Sequence, residues 1–183
     1  MIDGFTTRTW GENPVPLGVR GVVDITADGR SILVIDSARG PVRRIAAPDS
    51  LRLLSITTSP DGRSAVLVAT APNAHVIGVT PIGGWQFRAL LREPGPPLIA
   101  NITWARDGYL YFARWDSTAR VPVLVRLNSA APATVSAPER VMTLSDDCVV
   151  ESVTIAASAH RAACQTRDFR GDVYLARVPG LAR

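Results

Sequence analysis

Few side chains in this 183-residue chain could do chemistry, and they are scattered. His75 and His160 are the two histidines, Asp146-Asp147 is an adjacent carboxylate pair, and Cys148 and Cys164 are the two cysteines. The histidines could share a metal or an acid–base site if distant loops converged. Neither is flanked by an acidic cluster, and both read as surface residues. Paired carboxylates can bind calcium or move protons, but Asp146-Asp147 lies in a connector and reads as an exposed acidic linker.

All 20 basic residues are arginine, in a chain of net charge +4. With no lysine, the chain cannot form a phosphate-binding P-loop, a protein kinase site or a Schiff base. The arginines are dispersed, with only Arg43-Arg44 adjacent, so no nucleic-acid partner is expected. No apolar run reaches the ~18 residues that span a bilayer. The first residues, Met1-Ile2-Asp3-Gly4, lack the pattern of a signal peptide. A complete protein of this sequence would stay in the cytoplasm, an expectation that lapses if the chain belongs to a longer parent.

The elements that must position these residues come from a repeat. A twelve-residue phrase occurs four times, at Val23–Val34, Ile56–Leu67, Ile102–Ala113 and Val153–Cys164. The first three copies centre on Asp28-Gly29, Asp61-Gly62 and Asp107-Gly108. Asp-Gly between two apolar runs supplies the positive backbone angles of a tight hairpin. An aspartate recurring once per copy reads as a turn residue, not a catalytic one. In the fourth copy Ser158-Ala159-His160 replaces Asp-Gly-Arg, so that turn has decayed.

A two-strand unit recurring about every 40–50 residues is the signature of a β-propeller blade. Third strands are readable at Val42–Ala46, His75–Val79, Val123–Leu127 and Val173–Val178, and fourth strands at Trp85–Leu91 and Glu139–Leu144. The expected fold is all-β: about four blades of four-stranded antiparallel meanders, over residues 20–50, 51–97, 98–147 and 148–178. The first blade is too short for a full outer strand, so a trimmed one is expected. Residues 1–10 read as an outer strand, either of a preceding blade in a partial propeller or closing the last blade of a four-blade ring.

The phrase Thr58-Ser59-Pro60-Asp61-Gly62-Arg63 before an apolar strand resembles the repeat of TolB-like propellers, the WD40-like β-propeller family. Asp172-Val173-Tyr174-Leu175-Ala176-Arg177 resembles the last strand of propellers attached to bacterial serine/threonine protein kinases. The resemblance covers residues 20 to 178 and implies a sensor or interaction module on the extracytoplasmic, periplasmic side. The same repeats form the propellers of prolyl-oligopeptidase-like hydrolases, but no Gly-x-Ser-x-Gly nucleophile elbow occurs here.

Aromatic and arginine side chains dominate interface energetics, so Tyr109, Tyr111, Arg114 and Trp115 form the candidate binding surface. Trp104, on a strand of the repeat, reads as core between blades. Cys164 should face Val153, five residues from Cys148, a span of ~16 Å against the ~7 Å Cα limit for a disulfide. A Cys148–Cys164 bridge therefore needs the chain to fold back before Val149, and would imply an oxidising compartment.

These readings favour a non-enzymatic module that binds a protein or peptide and carries no cofactor. The alternatives are a metal-centred propeller enzyme of lactonase or glycan-cleaving type, a propeller half separated from its hydrolase, and a degraded fragment with no role of its own.

Overall fold

The computed structural model describes residues 15–16, 21–36, 42–95, 101–131, 137–150, 153–156, 161–165 and 173–177. Residues 1–10, the turn at Ser158-Ala159-His160 and Asp172 lie outside the described residues. Every named element among the described residues is a β-strand, and a single 3-10 residue occurs at Val150.

The chain forms two compact units, residues 1–96 and 97–183. In the first unit, β1 (Val15–Pro16), β2 (Gly21–Ile25), β3 (Ser31–Asp36) and β4 (Arg43–Ala46) make one antiparallel meander. A second meander contains β5 (Arg52–Thr58), β6 (Ser64–Ala71), β7 (Ala74–Pro81) and β8 (Arg88–Pro94). In the second unit, β9 (Ile102–Trp104), β10 (Tyr109–Asp116), β11 (Val121–Asn128) and β12 (Glu139–Thr143) form the third sheet. The fourth sheet holds, among the described residues, β13 (Thr154–Ala156), β14 (Arg161–Gln165) and β15 (Val173–Arg177).

The first sheet departs from expectation on one side. The described residues after β4 form no outer strand, where a trimmed one was expected, but the sheet gains β1, where Val15 pairs with Val23 and Pro16 with Val22. Proline cannot donate to a ladder, so Pro14-Val15-Pro16 reads as a breaker. At a sheet edge that loss is tolerated.

Each unit is cored by the facing sides of its two sheets. Pairing in register puts Val23 with Val34 and Ile25 with Ile32 on one face. That face meets Leu53, Ile56, Ala65, Leu67 and Ala69 of the second sheet in one apolar cluster. In the second unit, Tyr111, Ala113 and Leu124 of the third sheet meet Ile155, Ala162 and Cys164 of the fourth. Strand β6 is buried on both faces, since Val66, Leu67 and Val68 are all inaccessible. Its unbroken apolar run follows from that double burial.

The phrase owes its hairpins to a small hydrogen-bond device. In the first copy the Thr26 hydroxyl donates to Asp28 Oδ1 and accepts from Ser31 N–H, and Asp28 Oδ1 also accepts from Arg30 N–H at 3.0 Å. The second copy repeats each bond: Ser59 hydroxyl to Asp61 Oδ1 at 2.6 Å, Ser64 N–H to Ser59 Oγ at 3.0 Å, Arg63 N–H to Asp61 Oδ1 at 3.1 Å. Gly29 and Gly62 close these turns at φ +67° and +68°, where a Cβ would be strained. The third copy has Ala105 in place of the hydroxyl residue. Its turn is one residue tighter, with Ala105 N–H bonded to Tyr109 O at 2.9 Å.

Candidate functional site

The four residues nominated as a surface all lie on β10, but the strand divides them. Alternation sends Tyr109, Tyr111 and Trp115 to one face and Arg114 to the other. The face with the aromatics packs on the fourth sheet. Tyr111 is completely buried there, which removes it from any surface. Its hydroxyl donates to Asp107 Oδ2 at 2.8 Å. Burial and the neighbouring carboxylate both disfavour the phenolate and push the Tyr111 hydroxyl up to about 12.

Tyr109 is partly buried, and the Arg126 guanidinium lies 4.5 Å above its ring. Arg126 also donates two bonds of 2.9 Å to the Glu139 carboxylate. That pairing holds Glu139 below the usual carboxylate range and raises Arg126 further above its own. Tyr109 therefore belongs to a cross-strand stack over β10, β11 and β12. The pairing register brings Arg126 opposite both Tyr111 and Glu139, which sequence alone could not align because the ladder slips at the bulge between Leu124 and Val125.

Trp115 survives as a surface candidate. It is partly buried at the last turn of β10, with its apolar body on the second unit's core. The hairpin beyond it, Ser117 to Arg120, is exposed. Asp116 shapes that hairpin by accepting from Thr118 N–H and Ala119 N–H, both at 3.0 Å. These bonds, with Arg140 at 3.5 Å, hold the Asp116 carboxyl low. Arg120 adopts φ +56° and its N–H donates to Asp116 O at 2.7 Å. An aromatic edge, a fixed loop and the Arg140–Asp116 pair therefore sit together at one end of the third sheet. Trp104 is partly buried, paired with the fully buried Leu110 on the face of the third sheet opposite Tyr111.

His160 lies outside the described residues; the structure accounts for the turn aspartates. Asp28 and Asp61 are consumed by their turns, and the hydroxyl and amide donors aimed at them lower both carboxyls. Asp107 serves Tyr109 N–H and the Tyr111 hydroxyl, with Gly108 at φ +84°. Asp146 and Asp147 are exposed, as expected of a linker.

His75 corrects the surface reading. It is 4% exposed, on β7 opposite Glu93 of β8, with Nε2 3.3 Å from the Glu93 carboxylate and Nδ1 3.4 Å from Gly95 O. The Nε2–Glu93 approach is an ion-pair distance without hydrogen-bond alignment. Both faces of β7 are covered, so a residue at the strand's start is buried along with the rest of it. Among the described residues no group of three or more histidine, cysteine, aspartate or glutamate side chains could hold a metal ion. No helix among them is long and apolar enough to cross a membrane.

Cys148 and Cys164 are bonded, with Cα atoms 5.7 Å apart. The span argument assumed an extended Val149–Val153. Instead the chain turns there, with Val153 N–H bonded to Val150 O at 3.3 Å, which returns Cys148 to the side of β14.

Neither family models nor curated proteins match the chain. Solved structures do. A putative TolB from Agrobacterium tumefaciens superposes with a TM-score of 0.66 at 12% identity, over 91% of this chain and 57% of that one. TolB from Acinetobacter baumannii gives 0.65 at 15%, over 89% and 39%. An oligogalacturonate lyase in complex with manganese gives 0.62 at 14%, over 92% and 48%. The chain thus spans about half the length of the structures it matches. At such identities the likeness speaks for the fold, and the fold is all-β, of the β-propeller class shared with TolB.

Proposed function

We propose that the chain is a non-enzymatic propeller module that binds a protein or peptide through the end of the third sheet, around Trp115, Arg120 and Arg140. The observation that carries this reading is the fate of the repeated carboxylates. Asp28, Asp61 and Asp107 each accept hydrogen bonds from the hairpin they close, so the carboxylates the repeat supplies are already engaged. What faces solvent instead is a partly buried tryptophan beside an ordered loop and arginine, the composition of an interface anchor. TolB-like repeats suit the part of a C-terminal module in a longer protein, and a kinase-linked parent is the specific form suggested by the resemblance of residues 172–177.

Peptide display against the immobilised chain tests the proposal. A selected peptide should lose at least about tenfold affinity, about 1.4 kcal/mol, to Trp115→Ala, while the variant keeps the parent's circular dichroism. Selected binders indifferent to Trp115, Arg120 and Arg140 would overturn it. A stoichiometric divalent ion in the purified protein, with turnover of a lactone or a uronate glycan, would establish the enzyme alternative.

A further inference from the structure

The fourth sheet is the least supported of the four. Among the described residues it has three strands, and β13 is three residues long. Its phrase lacks both the Asp-Gly pair and the hydroxyl residue, having Ala156 where Thr26 and Ser59 stand. To the shared core it brings Val153, Ile155, Ala162 and Cys164, two of them small. Beside them is a cavity of about 80 Å³, walled by Met142 to Ser145 on one side and by Val153 and Ala162 to Cys164 on the other. The apolar filling leaves a gap where the two sheets meet, and a covalent link crosses beside it.

The link is well anchored at both ends. Leu144 N–H bonds Pro122 O and Cys148 N–H bonds Ser145 O, both at 2.9 Å, which ties Cys148 to the third sheet. Cys164 lies on β14, the central strand, which pairs with both β13 and β15. Cys148 and Cys164 are both buried, so a reductant reaches the sulfurs only when the sheets part.

We propose that the Cys148–Cys164 disulfide is a redox-controlled clamp that holds the fourth sheet on the third, released by dithiol reductants while residues 1–96 keep their structure. In the step, the S–S bond accepts two electrons and two protons from a dithiol, which becomes a disulfide, and two protein thiols remain. The chain would then take up its full structure in an oxidising compartment.

Hydrogen exchange of the full chain, oxidised and after treatment with excess dithiothreitol, tests the clamp. The cysteines are 16 residues apart, and closing a loop of that size shifts an opening equilibrium by up to roughly 100-fold. Amides of β13 and β14 should exchange about ten- to 100-fold faster after reduction, with β6 and β7 unchanged within about twofold. The double variant Cys148→Ala/Cys164→Ala should match the reduced protein and ignore dithiothreitol. If that variant does not fold, the wild-type comparison still decides. Equal protection of β13 and β14 in both states, or equal acceleration across both units, would overturn the proposal. So would alkylation of both cysteines in the native, unreduced protein.

Discussion

Leu53 donates its backbone N–H to Gly29 O at 2.8 Å, so the first hairpin turn is docked on the first full strand of the next sheet. Ala47 N–H bonds Arg30 O at 2.8 Å, and the Arg30 guanidinium reaches Asp49 O at 2.9 Å. The turn is therefore both a hairpin closure and a joint within the first unit. A Cβ on Gly29 would lie 2.7 Å from Leu53 O, in addition to the strain of φ +67°.

Gly29→Ala should accordingly destabilise the chain by about 1–3 kcal/mol. Gly108→Ala meets open space at φ +84° and bears only the dihedral strain, about 1 kcal/mol. Urea unfolding midpoints followed by circular dichroism should rank the parent first, Gly108→Ala second and Gly29→Ala last. Equal midpoints for the two variants would refute the joint.

The turn carboxylates predict acid behaviour. Hydrogen bonds from Thr26 and Ser59, then from Arg30 N–H and Arg63 N–H, hold Asp28 and Asp61 below the ordinary 3.8. A depressed native value adds stability above the unfolded value and loses it as pH falls through the native one. The parent should lose stability below about pH 4. The pair Thr26→Ala and Ser59→Ala should make that loss smaller and shallower, because the native carboxyls return toward the unfolded 3.8 and less stability depends on their ionisation. Coincident acid titrations of the parent and the double variant would show that the hydroxyls do not tune these groups.

Tyr111 sets an alkaline limit. With its hydroxyl raised to about 12 from 10.0, stability is intact below pH 10 and falls between 10 and 12, because the unfolded chain ionises first. Tyr111→Phe should flatten that limb at a cost near neutrality of about 0.5–1.5 kcal/mol for the bond to Asp107. The ultraviolet titration of tyrosinate reports the same group directly, and a buried phenol that ionised near pH 10 would contradict the assignment.

Gly78 and Phe87 should be coupled. The Phe87 ring lies over Gly78, stacked on Trp85 at 5.6 Å between centroids, and an added Cβ would strike it while coming 2.7 Å from Arg88 O. Gly78→Ala and Phe87→Ala should each cost about 1–4 kcal/mol. The double variant should cost less than their sum by at least 0.5 kcal/mol, since removing the ring frees space for the methyl. Strict additivity in a double-mutant cycle would deny the contact.

The sequence carried most of the fold because Asp-Gly turns and unbroken apolar strands are local signals. The third strands fall within about two residues of their sequence positions. The outer strand of the second sheet begins at Arg88, three residues beyond the expected Trp85, because the Phe87 ring lies over Gly78 and Gln86 N–H bonds the Thr80 hydroxyl instead of extending the ladder. The candidate site was less legible. Which face of β10 meets a neighbour is decided by tertiary packing, so Tyr111 looked available although it is core. Val149-Val150 contains no glycine or proline to mark its turn, and the disulfide stayed hidden behind an assumed extended strand. His75 was misread for the same reason: burial of a strand end depends on what lies beyond it.

The two-residue strand β1 also bears on how copies of this protein behave at high concentration. It ends the first sheet's described strand order and has Pro16 opposite Val22, with Pro14 just before it in the chain. Neither proline has an amide hydrogen to offer an incoming molecule. That flank gives a foreign chain little to zip onto, and so guards against runaway edge-to-edge polymerisation into fibrils.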